Sequence, residues 1–354
     1  MSSYHKEQER KNLEKLKEIR KELPPFVGEF FTAKADYMSS HTRLAYAYDL
    51  RLFFKFIIDE IREIRARNMD EFTIEHFGQI TQEHIAEFME YLGYYESSRS
   101  SKGENLKVEN STVSKSRKLS TVRSVFVYFV KKKKVLSNPA ELVDTPPTKE
   151  KAKVYLDVDE IANLLDAVDD GKSLTKHQER FHAYTRSRDI AILSLLAGTG
   201  IRVSEAVGIN LEDIDVDRGI FKVTRKGGNE AFLEFNEEIE FALREYLDQR
   251  MTKKPLEGHE SALFLSLQNR RITTRAVQLL VKKYSSLTNS LKKITPHKLR
   301  SSFGTNMYRQ TGDIYLVADL LGHSDVNTTR KSYADTKGEA GRRAMREYRL
   351  RSDE

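Results

Sequence analysis

The chain has 354 residues, 39% of them apolar and 32% charged, with no cysteine and a formal net charge of +7. That length exceeds what a single core fills, so two domains are expected. The absence of cysteine excludes disulfides and thiolate metal sites, and no apolar run approaches the length of a membrane-spanning helix.

The first residues, MSSYHKEQERKNLEK, are charged throughout and lack the apolar stretch of a signal peptide, so a cytoplasmic location is expected. Residues 5–22 set Lys, Arg and Glu around Leu13, Leu16 and Ile19. This spacing predicts an amphipathic lead helix, stopped by Pro24 and Pro25. From Ser40, SSHTRLAYAYDLRLFFKFI predicts a capped helix with Tyr46, Leu50, Phe53 and Ile57 on one stripe. ITQEHIAEFMEYL predicts another helix, and SSRSSKGENLKVENS a polar loop. STVSKSRKLSTVRSVFVYFVKKKK then reads as a long helix. Between Arg99 and Lys134 stand eleven Lys/Arg against only Glu104 and Glu109, more than the whole net excess. A charge concentration of this kind is the footprint of a polyanion-binding face. Lys115, Arg117, Lys118 and Arg123 are the cations it marks for contact with nucleic acid.

NPAELVDTPPTKEKAK, rich in Pro and Lys, reads as an interdomain linker, and VYLDVDEIANLLDAV opens the second domain. The charged stretch DDGKSLTKHQERFHAYTRSRD, over residues 169–189, carries no clear pattern. AILSLLAGTG is an apolar helix stopped by glycines, and VSEAVGI restarts one, which puts Arg202 at a helix start. IFKVT and AFLEF alternate around RKGGNE, so Lys226 falls at the tip of a hairpin. Thr295 and Pro296 read as the start of a further helix, on which His297 and Arg300 share a face. His323 and Tyr333 lie in LLGHSDVNTTRKSY.

Arg202, Lys226, His297, Arg300, His323 and Tyr333 form a coherent chemical set. Two guanidinium groups with a lysine or histidine make a receptor for a phosphodiester, because arginine binds phosphate oxygens bidentately and stays charged. Fixed cations favour the charge that builds on those oxygens as the diester is attacked. A tyrosine can attack only with a neighbouring base or a strongly cationic site, since about one phenol in a thousand is ionised at neutral pH. A lysine can protonate the departing oxygen. No step in this scheme calls for a metal or another cofactor.

The strings GTGIRVSEA, VTRKGGNE, TPHKLRSSFGT and LLGHSDVNTTRKSY, in this order, resemble the active-site set of the tyrosine recombinase (phage integrase) family over roughly residues 25–345. They are most similar to the Xer-type recombinases that act as a single protein. The chain departs from the family's common H-x-L-R-H at Ser301, and ten residues separate His323 from Tyr333 where nine is commoner. The resemblance implies a mainly α fold with a small β-sheet or hairpin in the C-terminal domain. It divides the chain into an N-terminal helix at 1–24, a helical, SAM-like core-binding domain at 25–145, a linker at 146–154, and an α+β catalytic domain with a tail helix at 155–354. With some 25 residues ahead of the first domain, a recombinase needing only core sites is expected.

The implied activity is site-specific cleavage and rejoining of DNA through a 3′-phosphotyrosyl bond to Tyr333. By the same resemblance Arg202 and Arg300 clamp the phosphate, Lys226 protonates the leaving oxygen, His297 serves as acid/base, and His323 hydrogen-bonds the phosphate. The implied partners are a double-stranded DNA site, three further copies in a homotetramer on two sites, and in some relatives an accessory activator protein. The implied location is the nucleoid, and the implied task is resolution of chromosome or plasmid dimers or integration and excision of a mobile element. A type IB topoisomerase uses the same chemistry without synapsis, and a catalytically silent DNA-binding protein is a second alternative.

Overall fold

The computed structural model describes residues 3–97, 106–147, 154–225, 227–288, 292–323, 325–327 and 330. The chain divides into two compact units, 3–151 and 152–354. Lys226, Tyr333, the tail beyond it, most of the expected linker and the centre of the expected polar loop lie outside the described residues.

The first unit is helical. It comprises α1 (Ser3–Arg20), α2 (Val27–Ala33), α3 (Ser40–Glu60), α4 (Ile74–Gly78), α5 (Gln82–Tyr91) and α6 (Thr112–Lys131), with a two-stranded antiparallel pair, β1 (Tyr95–Ser97) and β2 (Leu106–Val108), between the last two helices. The starts of α3, α5 and α6 follow hydroxyl caps: Ser39, Thr81 and Ser111 each accept the backbone N–H three residues on. Aromatic residues dominate the core. Phe30, Phe53, Phe54, Phe77, Phe88, Phe126 and Phe129 are all buried, and the Phe77 and Phe126 rings stack with centroids 4.0 Å apart. α1 packs on α3, and its Leu16 and Ile19 join this core. The flanks of the expected polar loop pair as β1 and β2, which alternation alone did not reveal because each strand has only three residues.

The basic stretch turns many of its cations inward. Arg117, half-exposed on α6, makes a two-pronged bond to Asp49, which is 3% exposed on α3. Thr121 donates to the same carboxylate at 3.0 Å. Burial pushes the Asp49 pKa up, and Arg117 opposes that shift. Lys118 is buried and donates to Asn110 and Ser114, both at 2.9 Å. Lys115 donates to the Met89 carbonyl at 3.0 Å, and Arg123 to the carbonyls of Ala140 and Val143 and to the Thr145 hydroxyl. Lys131, Lys132 and Lys133 stay exposed at the end of α6.

Removing Arg117 therefore leaves a carboxylate buried with a single hydroxyl donor. Arg117→Ala is expected to destabilise the protein by about 2 kcal/mol, the cost of an underbonded buried charge reduced because Arg117 itself is half-exposed. Urea unfolding measures this loss, and the Asp49→Ala/Arg117→Ala pair should recover part of it. Equal stability of Arg117→Ala and the parent would mean that the pair contributes nothing.

The second unit begins with α7 (Val158–Asp170), opened by a capping box between Asp157 and Glu160. Next come α8 (Lys176–Thr199), α9 (Val203–Gly208), and the antiparallel sheet β3 (Ile214–Asp215), β4 (Ile220–Thr224) and β5 (Glu230–Glu234) in the order β3-β4-β5. Among the described residues, four further helices follow: α10 (Glu237–Thr252), α11 (Thr274–Ser285), α12 (Pro296–Thr311) and α13 (Ile314–Leu321). α8 is the central strut, packed on α7, α9, α10, α11 and α12. Its C-terminal half, AILSLLAGT, is almost wholly buried. The patternless stretch 169–189 supplies its first turns, capped by Thr175 and Gln178. At the join, Asp189 is 1% exposed and accepts from Arg188 and from the Tyr284 hydroxyl at 2.9 Å, tying α8 to α11. Among the described residues no helix is long and apolar enough to cross a membrane.

Candidate active site

Three chain reversals in the second unit bring four of the candidate residues together: Arg202, His297, Arg300 and His323. The first follows α8. Gly200 closes that helix in the left-handed conformation, with φ +63°, and a Cβ there would fall 2.5 Å from the Phe303 ring and 2.9 Å from Leu321. Only glycine meets both demands without strain. Two residues on, Arg202 is the N-cap of α9, and Glu205 is the residue that fixes it. The Glu205 carboxylate, 3% exposed, accepts the Arg202 backbone N–H and its Nη1, both at 2.8 Å. Glu205 was not singled out in the sequence, although a Glu three residues into a helix is the signature of a capping box.

The second reversal starts α12. Thr295 caps it and Pro296 is its first residue, as the sequence predicts. Arg300 lies one turn in and is buried, 6% exposed. Its Nη1 donates to the Gly200 carbonyl at 2.6 Å and its Nη2 to the Leu321 carbonyl. The guanidinium thus joins the C-terminal ends of α8 and α13, where helix carbonyls lack intrahelical partners and carry partial negative charge. Ser301, where the family commonly has His, donates its hydroxyl back to the His297 carbonyl at 3.0 Å.

The third reversal ends α13. Gly322, with φ +63°, turns the chain, and the His323 backbone N–H bonds the Ala318 carbonyl at 3.0 Å. His323 emerges from this turn into a cationic field. Partial burial, then Arg300, Arg202, Arg225 and His297, push its pKa down to about 4. His297 is lowered for the same reasons, by desolvation first and then by Arg300, Lys298 and Arg202. Arg202, His297, Arg300 and His323 therefore occupy one site, with Arg225 of the hairpin beside them. These shifts favour the neutral imidazole, which has one N–H to donate.

A lowered histidine pKa has a definite sign for stability. Between about 4 and the unfolded value near 6.5 the unfolded chain binds more protons than the folded one, so stability rises with pH across that window. Melting temperature is thus expected to fall as pH drops from 6.5 towards 4. His323→Gln should flatten that fall, and an unchanged slope would refute the coupling.

The arrangement is a cationic receptor for an anion, with two arginines, two imidazoles of lowered pKa and Arg225 of the hairpin. Residues 155–339 match the Phage integrase family. The chain is 32% identical over 308 residues to tyrosine recombinase XerC of Thermodesulfovibrio yellowstonii, covering 86% of this chain and 88% of the relative. It is 33% identical over 320 residues to XerC of Caldanaerobacter subterraneus subsp. tengcongensis, covering 87% and 81%.

The chain belongs to the phage integrase family, as a Xer-type tyrosine recombinase.

Its fold agrees with solved recombinases. A XerH recombinase bound to palindromic difH substrate in a post-cleavage complex superposes with a TM-score of 0.62 at 19% identity, covering 90% of this chain and 84% of that one. The Tn1549 transposon integrase with circular intermediate DNA gives 0.62 at 19%, covering 90% and 97%. As a tyrosine recombinase the protein breaks and rejoins DNA strands at specific sites, and neither the topoisomerase nor the silent binding alternative is favoured.

Proposed function

We propose that Tyr333 is the nucleophile of this recombinase and that Arg202, Arg300, His297, His323 and Lys226 make up the rest of its active site. The observation that carries this reading is the gathering of Arg202, His297, Arg300 and His323, drawn from three separate chain reversals, into one cationic field. The Tyr333 oxygen attacks phosphorus and the bond to the 5′ oxygen breaks. Lys226 gives that oxygen its proton, and His297 takes the phenolic one. Arg202 and Arg300 hold the non-bridging oxygens, whose charge grows in the transition state. Neutral His323 donates one N–H to the same group. The ester stores the bond energy, so the partner strand's 5′ hydroxyl can displace the tyrosine without a nucleotide cofactor.

The finer reading is resolution of DNA multimers by a homotetramer holding two sites, in the nucleoid, with or without an activator protein. The XerC likeness over most of the chain favours this over integration of a mobile element. The first unit grips the duplex with the exposed Lys131, Lys132 and Lys133, while Lys115, Arg117, Lys118 and Arg123, already bonded within the unit, brace that segment. A plasmid carrying two copies of the protein's own flanking DNA site supplies the test. Incubation with purified protein alone should yield two smaller circles, and crosslinking should capture four protomers per pair of sites. Relaxed plasmid without recombinant circles would overturn the reading.

A further inference from the structure

Arg225 immediately precedes Lys226, and its backbone closes the hairpin turn. Its N–H donates to the Asn229 carbonyl at 2.7 Å, and the Gly228 N–H donates to its own carbonyl at 3.0 Å. The side chain leaves the hairpin altogether. Nη2 donates to the Leu320 carbonyl, 3.3 Å away in the last turn of α13. The guanidinium also lies directly against Gly322: a Cβ on that residue would come within 1.8 Å of Nη1 and 2.2 Å of Cζ. Leu320 and Gly322 flank Leu321, whose carbonyl receives Arg300, and His323 follows at once. Two arginines from distant parts of the chain thus meet the same helix C-terminus, which attracts cations.

We propose that Arg225 is a positioning residue that ties the hairpin bearing Lys226 to the turn bearing His323, so that proton donor and phosphate ligand meet the DNA as one body. The inference rests on the reading of Lys226 as the donor to the leaving oxygen. Gly322 is part of the device, because any side chain there would evict the Arg225 guanidinium. Arg225 touches no substrate atom in this account, and it acts on the rate by holding the hairpin in place.

A substrate whose 5′-bridging oxygen is replaced by sulfur tests the tie. A thiol has a pKa near 8.5, so it leaves without a proton and makes a leaving-group acid unnecessary. On an ordinary nicked suicide substrate Arg225→Ala should cleave roughly 10- to 100-fold slower than the parent, the loss expected from a misplaced catalytic group. On the sulfur substrate the same variant should cleave close to the parental rate, and Arg225→Lys should show a smaller defect on the ordinary one. Gly322→Ala should repeat the Arg225→Ala pattern. Gly312→Ala is its control, because Gly312 has the same left-handed backbone (φ +70°) but open space around it, and it should cleave normally. An Arg225→Ala defect that persists on sulfur, or no defect on either substrate, would overturn the tie.

If Lys226→Ala is not rescued by sulfur, the assignment of Lys226 falls instead, and a second measurement then judges Arg225. Histidine NMR titration of Arg225→Gln should show the His323 pKa rise, because a neighbouring positive charge is gone. An unmoved His323 titration would overturn contact between hairpin and turn.

Discussion

Tyr333→Phe is expected to abolish the covalent protein–DNA adduct while leaving site-specific binding intact. The substitution removes one oxygen and keeps the ring, so what it deletes is the attacking atom. At neutral pH a free phenol is ionised to about one part in a thousand. The cationic field that depresses the His323 pKa would equally favour a phenolate brought into it. A nicked suicide substrate traps the adduct, which a denaturing gel resolves, and gel shift measures binding in parallel. An adduct surviving in Tyr333→Phe would transfer the nucleophile's role to another tyrosine, with Tyr348 the one further along the chain.

Much of this site was legible because its residues sit where local signals are strong. GTGIRV announces a helix stop and restart, and Arg202 is indeed the cap of α9. Thr295-Pro296 announces the start of α12, and the alternation around RKGGNE announces β4 and β5. What the sequence concealed are pairings across distance. The charge count around α6 could not show that Arg117 closes on Asp49, 68 positions earlier, because that partner is set by the packing of α3 on α6. Glu205 and Gly322 carry recognisable local roles, yet their importance lies in what presses on them: Arg202 on the first and Arg225 on the second. The stretch 169–189 lacked a pattern because its helix changes environment midway. Its first turns face solvent, while Arg188 and Asp189 are already in the core. α10, α11 and α13 were not read as elements at all, since their boundaries follow from burial against α8 and α12 as much as from sequence.

Arg300→Ala is expected to lower the cleavage rate roughly 100- to 1000-fold, the loss typical of one preorganised donor at a developing charge. It should also cost stability. The side chain is buried and satisfies the carbonyls of Gly200 and Leu321, both of which would be left without this donor, for a total of about 2–4 kcal/mol. Arg202→Ala should show a comparable rate loss with a smaller stability change. Arg202 is half-exposed, and Glu205 keeps the backbone N–H of residue 202 after the guanidinium is gone. Arg300→Lys separates charge from shape: an ammonium restores the cation but cannot span two carbonyls and a phosphate in one plane. That variant should therefore recover part of the stability and little of the rate. Single-turnover cleavage, read well below each variant's melting temperature with folding checked by circular dichroism, keeps the two effects apart. Parental cleavage by either folded alanine variant would make that arginine a structural brace of the α8, α9 and α13 ends and remove it from the phosphate clamp.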